Sequence, residues 1–177
     1  MNLQENINRI KSIMKSVNSD INEVSEEGYQ LILDKYSESR LIMTEDTTIN
    51  FREFNNQEIG YKPKGLWYGI GVSWIDWVRS EMPDWEYDNI FKIDLNESNM
   101  LMIDTLEKLY SFNKEFGVKT HVFTQINWKK VSNSYGGIEI SPYMWPARRE
   151  LDWYYGWDVA SGCVWNKNVI QNIEKII

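Results

Sequence analysis

The chain has 177 residues, with 26 acidic and 19 basic side chains for a formal net charge of −7. Its length suits one domain with a sizeable core, 42% hydrophobic and 14% aromatic composition is that of a folded protein, and the acidic balance argues against binding along nucleic-acid phosphates. No apolar run approaches the roughly 20 residues of a membrane span, one cysteine and one histidine exclude a disulfide, a multi-cysteine zinc site or a histidine cluster, and the opening "MNLQENINRI" lacks a signal-peptide core, so the expectation is a cytoplasmic protein with no membrane partner and no metal.

The first 66 residues contain no tryptophan, and all nine lie between positions 67 and 165. In the polar head, Leu3, Ile7, Ile10, Met14, Val17, Ile21 and Val24 recur in steps of three and four, which puts them on one helical stripe. "NSD" at 18–20 can divide that stripe, with Ser19 or Asp20 as a cap. Residues 1–28 are therefore expected to be an amphipathic helical segment, packed on its own domain or docked on a partner. Residues 29–177 are expected to be an aromatic-rich α+β domain.

Short β-like pieces follow: "YQLIL" (29–33), "RLIM" (40–43) and "TINFREF" (48–54), where Ile49 and Phe51 alternate with polar neighbours. "KPKG" reads as a turn, "GLWYG" as a strand, and "SWIDWVRSEM" as a helix begun by Ser73. Trp74, Trp77 and Val78 fall at i, i+3 and i+4 of that helix and are expected to bury against the sheet. "IFKIDL" alternates as a strand, and "DTLEKLYSFNKEFG" reads as a helix with Asp104 near its start and Gly117 as its C′ residue. "THVFTQI" and "GGIEI" read as further strands. The fold class that results is α+β, with a small mixed or antiparallel sheet and an N-terminal amphipathic helical segment.

Glu139 sits between Ile138 and Ile140, so on a strand its carboxylate faces away from both. It is either a solvated glutamate on an amphipathic strand or a carboxylate presented into a cleft, where Gly136 and Gly137 allow close approach of a ligand. Arg40 and Arg52 each lie in a β-like segment and can offer a planar fork to phosphate or carboxylate. Arg148 and Arg149 read as surface charge. In "WYYGWDVASGCVW" (153–165), Asp158 and Ser161 stand in a nearly apolar run and are expected to be buried with hydrogen-bond partners. A Cys163–His121 nucleophile pair has no positional support beyond the presence of both residues.

"KPKGLWYGIGVSW" resembles the second-strand signature of the ADP-ribosyltransferase-like superfamily: glycine, aliphatic, two aromatics, a small residue, then a serine-containing turn into a helix. Poly-ADP-ribose polymerases and RNA 2′-phosphotransferases carry related glycine-led aromatic strands. "GGIEI" resembles the late strand on which this superfamily presents its catalytic glutamate, and the order arginine, aromatic strand, glutamate matches across residues 40–142. The resemblance implies that NAD is the substrate, that its nicotinamide–ribose bond breaks, and that ADP-ribose passes to an acceptor that a protein can supply. It implies Glu139 as the catalytic residue and Arg40 or Arg52 on the pyrophosphate, with Trp67 or Tyr68 stacked on the nicotinamide and Ser73 supporting the pocket. No serine-threonine-serine run is present and Gly137 stands two before Glu139, so the resemblance leaves the acceptor open.

"LQENINRIKSIM" is similar to the amphipathic leader of some phage proteins. That likeness implies a phage-encoded protein in the host cytoplasm or the virion, with residues 3–24 meeting a virion partner. Two other functions fit the composition. One is a non-enzymatic virion or interaction protein. The other is a carbohydrate-binding or cell-wall-acting module, in which Glu139 and Asp158 form a hydrolytic carboxylate pair.

Overall fold

A computed structural model describes residues 23–177. The amphipathic stripe of the head, apart from Val24, lies outside the described residues. Four α-helices and nine strands follow: α1 (Glu26–Lys35), β1 (Arg40–Thr44), β2 (Leu66–Ile70), α2 (Ser73–Glu81), β3 (Asn89–Leu95), β4 (Met100–Ile103), α3 (Leu106–Phe116), β5 (Gly117–Lys119), β6 (Thr124–Ile126), α4 (Trp128–Ser132), β7 (Gly137–Ile140), β8 (Ser161–Val164) and β9 (Ile170–Lys175). The class is α+β. No helix among the described residues is long and apolar enough to cross a membrane.

Seven strands form one mixed sheet in the order β4-β7-β8-β2-β1-β3-β9, and β5 pairs with β6 in a small second sheet. Only β4 and β7 run parallel; every other neighbouring pair is antiparallel. The connection from β3 to β4 forces this sheet to curl. In a flat sheet those strands would stand five spacings apart, about 24 Å. The chain from Leu95 to Met100 can span only about 17 Å even when fully extended. Within that link, Asn96 N–H donates to Val169 O at 2.7 Å, closing the curl beside β9.

Curling gives the sheet a concave and a convex face, and strand alternation assigns side chains to each. Ile42, Tyr68, Phe91, Ile93, Leu95, Met100, Val164 and Val169 fill the concave side as one buried cluster. On the convex side, Ile138, Ile140 and Cys163 pack under α3, α4 and the aromatic loop 143–157. That second cluster holds Trp128, Trp153, Trp157 and Trp165, all almost completely buried. The edge-to-face packing of these rings adds to their large area term. A third cluster joins Val24 and Ile32 to Leu41, Ile75 and Ile90.

Several local expectations are corrected. "YQLIL" belongs to α1 and is not a strand: Ser25 caps the helix by accepting from Gly28 N–H at 3.1 Å, Glu26 and Glu27 fill the first turn, and Gly28 and Ile32 bury at i and i+4. The helix runs across position 28. "TINFREF" forms no strand; it is a strap that lays Ile49 and Phe51 against the concave cluster. On α2 the buried residues are Ile75 and Val78, while Trp74 and Trp77 stay half-buried with their rings stacked at 4.9 Å. Helix α3 is capped by Thr105, with Asp104 outside it paired to Lys108 at 2.7 Å. Gly117 ends it at φ −68, in extended backbone that starts β5, and not as a left-handed C′ residue. "THVFTQI" contributes only Thr124–Ile126 to a strand.

Candidate functional site

Arg40, Tyr68 and Glu139 meet on the concave face. Each comes from a different strand: Arg40 opens β1, Tyr68 is central in β2, and Glu139 lies in β7. Register explains the Tyr68–Glu139 contact. Glu139 pairs across to Gly162, and Gly162 pairs across to Tyr68, so the three form one cross-strand row. A Cβ on residue 162 would collide with the Tyr68 hydroxyl and ring. Glycine there lets the tyrosine lie over β8 and reach the next strand. Tyr68 Oη then donates to Glu139 Oε2 at 2.8 Å.

Arg40 reaches the same oxygen from the other side, its Nε donating to Glu139 Oε2 at 2.5 Å. In a flat sheet β1 and β7 would stand about 14 Å apart, three strand spacings, so the contact depends on the curl. Arg40 Nη2 also donates to Glu97 Oε1, on the β3–β4 link, at 2.5 Å. Side-chain exposure rises outward through the cluster, from 8% at Glu139 to 16% at Arg40 and 58% at Glu97. The carboxylate thus lies one side chain below solvent, not on a solvated face.

The electrostatics follow from this placement. Burial raises the Tyr68 hydroxyl well above its ordinary pKa, and the charge of Glu139 and its hydrogen bond push the same way. For Arg40, burial acts to lower the pKa, but hydrogen bonds to Glu139 and Glu97 outweigh it and hold the guanidinium charged. The cluster is a buried carboxylate with one fixed cation and one phenolic donor.

The other expected site residues lie elsewhere. Trp67 precedes Tyr68 on the same strand, so its side chain takes the opposite, convex face, where it packs edge-on against Trp157 at 4.9 Å. One pocket cannot hold both Trp67 and Glu139. Ser73 is a structural pin: its hydroxyl donates to Ala160 O at 3.0 Å and accepts from Ile70 N–H at 3.2 Å. Arg52 is exposed on the strap between β1 and β2 and makes no ion pair with a described residue.

Asp158 is half-buried beside Trp67 on the convex side, where it pairs with Arg148 at 3.1 Å. It therefore shares no face with Glu139, and the two do not form a carboxylate pair. Arg148, expected as plain surface charge, is held by Asp158 and Tyr143 and lies over the rings of Trp145 and Tyr155. Ser161 is buried, its hydroxyl on Val159 O at 3.0 Å. Cys163 is fully buried, which pushes its thiol well above the ordinary value, while His121 lies exposed in the β5–β6 turn. Among the described residues no group of three or more His, Cys, Asp or Glu side chains is placed to hold a metal.

Glu97 and Gly162 escaped sequence reasoning. Glu97 is an exposed acid in a short 3-10 turn, with no periodic signal. Gly162 gains its meaning only from register. No family model matches the chain, and it matches no curated protein and no solved structure.

Proposed function

We propose that the chain is an ADP-ribosyltransferase-like enzyme that breaks the nicotinamide–ribose bond of NAD and transfers ADP-ribose. The observation behind this reading is the meeting of Arg40, Tyr68 and Glu139 from three strands at one carboxylate. Those are the first-strand arginine, second-strand aromatic and late-strand glutamate that the sequence resemblance puts in one site.

In the proposed reaction the C1′–N bond breaks, its electron pair leaves on nicotinamide, and positive charge grows on the ribose. Glu139 stabilises that charge, and a fixed carboxylate does so without reorganising. Tyr68 holds the carboxylate in one orientation. Arg40, the more exposed partner, keeps its Nε on Glu139 and offers the pyrophosphate the Nη2 that Glu97 otherwise holds. The acceptor then bonds to C1′ and loses a proton. Trp67, Ser73 and Arg52 have no part in this version of the site.

The test is incubation with NAD and candidate acceptors, following nicotinamide release and mass gain. Glu139→Gln should lower turnover by ~10²-fold or more, with folding checked by thermal melt. Wild-type protein that releases no nicotinamide with protein, nucleic-acid or small-molecule acceptors would defeat the reading.

A further inference from the structure

On the convex face, away from Glu139, two adjoining cavities share Lys62 as a common wall. The smaller, about 320 Å³, is walled by Trp67, Trp74 and Trp157, with Leu41 and Met43 as its floor. The larger, about 730 Å³, opens beside it among Tyr61, Phe123, Tyr155 and Arg149. Ligand cavities commonly run from about 300 to 1,000 Å³, mostly apolar with a few placed polar groups.

Three features mark what would fit. First, the Trp157 indole N–H is buried without a hydrogen-bond partner. The other deeply buried tryptophans all donate: Trp128 to Gly60 O, Trp153 to Asn113 Oδ1 and Trp165 to Tyr135 O. A buried donor left unpaired is costly, and this one is also closed to water, so an acceptor in the cavity reaches it only once the Trp157 ring shifts.

Second, two of the three cations at this place, Lys62 and Arg149, are free, while Arg148 and both acids are engaged. Lys62 and Arg149 make no ion pair with a described residue, whereas Asp158 is held by Arg148 and Asp152 accepts from Thr124 N–H at 2.7 Å. Lys62 as a residue is exposed, but its ammonium turns in over the Trp67 ring, 5.3 Å from the centroid. Burial of that end lowers its pKa, against the opposing pull of Asp158. An anion at the ammonium would add to the pull of Asp158 and favour the charged form. Third, three indoles line the small cavity and offer aromatic surface to a planar ring.

We propose that these joined cavities bind a nucleotide. The base lies among Trp67, Trp74 and Trp157, whose ring shifts so that Nε1 donates to a ring carbonyl or ring nitrogen, and the phosphate meets Lys62, with Arg149 beyond it. The site is independent of the proposed NAD chemistry, because it sits on the other face of the sheet.

The test titrates the full-length chain with AMP, CMP, GMP and UMP, reading tryptophan fluorescence and the indole N–H resonances. Controls are adenosine, which lacks the phosphate, and ribose 5-phosphate, which lacks the base. At least one nucleotide should saturate, bind more tightly than both controls, and shift the resonance that is missing from Trp157→Phe. Trp157→Phe should weaken binding ~5- to 10-fold, the scale of one hydrogen bond. Lys62→Gln should bring AMP down to the level of adenosine. No saturation in the ~10 mM range would overturn the proposal. So would ribose 5-phosphate equal to AMP, or binding that Lys62→Gln leaves unchanged. Nicotinamide release from NAD, measured separately, decides the concave site, so the two readings can fail independently. Should Trp157→Phe not fold, the Lys62→Gln comparison still decides.

Discussion

Tyr68 and Glu139 stand two strands apart in one cross-strand row, and the Tyr68 hydroxyl donates to Glu139 Oε2 across Gly162 at 2.8 Å. Glycine at 162 is thus a condition of the contact. Gly162→Ala would put a methyl group into the Tyr68 ring and against Ile138 O. The expected loss is ~1–3 kcal/mol from overpacking, plus the hydrogen bond if the ring is displaced. Tyr68→Phe alone should cost ~1.5–3 kcal/mol, the range for a hydrogen bond to a charged group. Urea unfolding of both variants checks this, and an alanine variant as stable as wild type would show that the row is loosely packed.

The Arg40–Glu139 pair should show strong coupling. With Arg40→Met, Glu139 stays buried at 6% exposure without its counter-charge, so a loss of ~3–5 kcal/mol is expected. Arg40→Met combined with Glu139→Gln removes the orphaned charge and should recover much of that loss. A double-mutant cycle measures the coupling. Simple additivity would mean that the two charges do not depend on each other.

Alkaline pH should weaken the fold through Tyr68. Its folded pKa is raised above the ordinary value of 10.0, so between that value and the folded one the native state holds a proton that the unfolded state has lost. Stability from this group is complete below about pH 10 and declines as pH rises towards the folded value. The stability gap between wild type and Tyr68→Phe should therefore narrow above about pH 10. Denaturant melts from pH 8 to 11 test it, and a gap that stays constant would contradict the shift.

The sequence is most legible where apolar periodicity is long, and least where meaning depends on partners. "IFKIDL" alternates and forms β3, and "GLWYG", a short aromatic run between glycines, forms β2. β4, β8 and β9 carry no such signal: "MLMI" and "SGCV" are four residues each, and "IQNIEK" is a polar edge strand. In the site, Arg40, Tyr68 and Glu139 were legible as strand residues of the right chemistry, but their meeting needed a curl that no single strand encodes. Period two allows only one of Trp67 and Tyr68 to face Glu139, and the register through β8 decides for Tyr68.

Helix α2 separates aromatic content from core position, and that separation can be measured. Ile75 and Val78 are 2% and 0% exposed, facing the sheet three residues apart. Trp74 and Trp77 follow the same spacing one residue earlier, so they are turned by roughly 100° around the helix and stack on each other, with Trp85 alongside at 6.5 Å. Ile75→Ala should therefore cost ~2–5 kcal/mol, the range for emptying a closed site. Trp77→Ala removes a larger side chain from a half-exposed place, where solvent replaces part of the lost contact and no sealed cavity forms. Its cost should be the smaller of the two, although tryptophan is much the larger residue. Chemical denaturation of both variants decides the order. If Trp77→Ala proves the more damaging, the stacked pair belongs to the core, and the walls of the small convex cavity are more rigid than their exposure indicates.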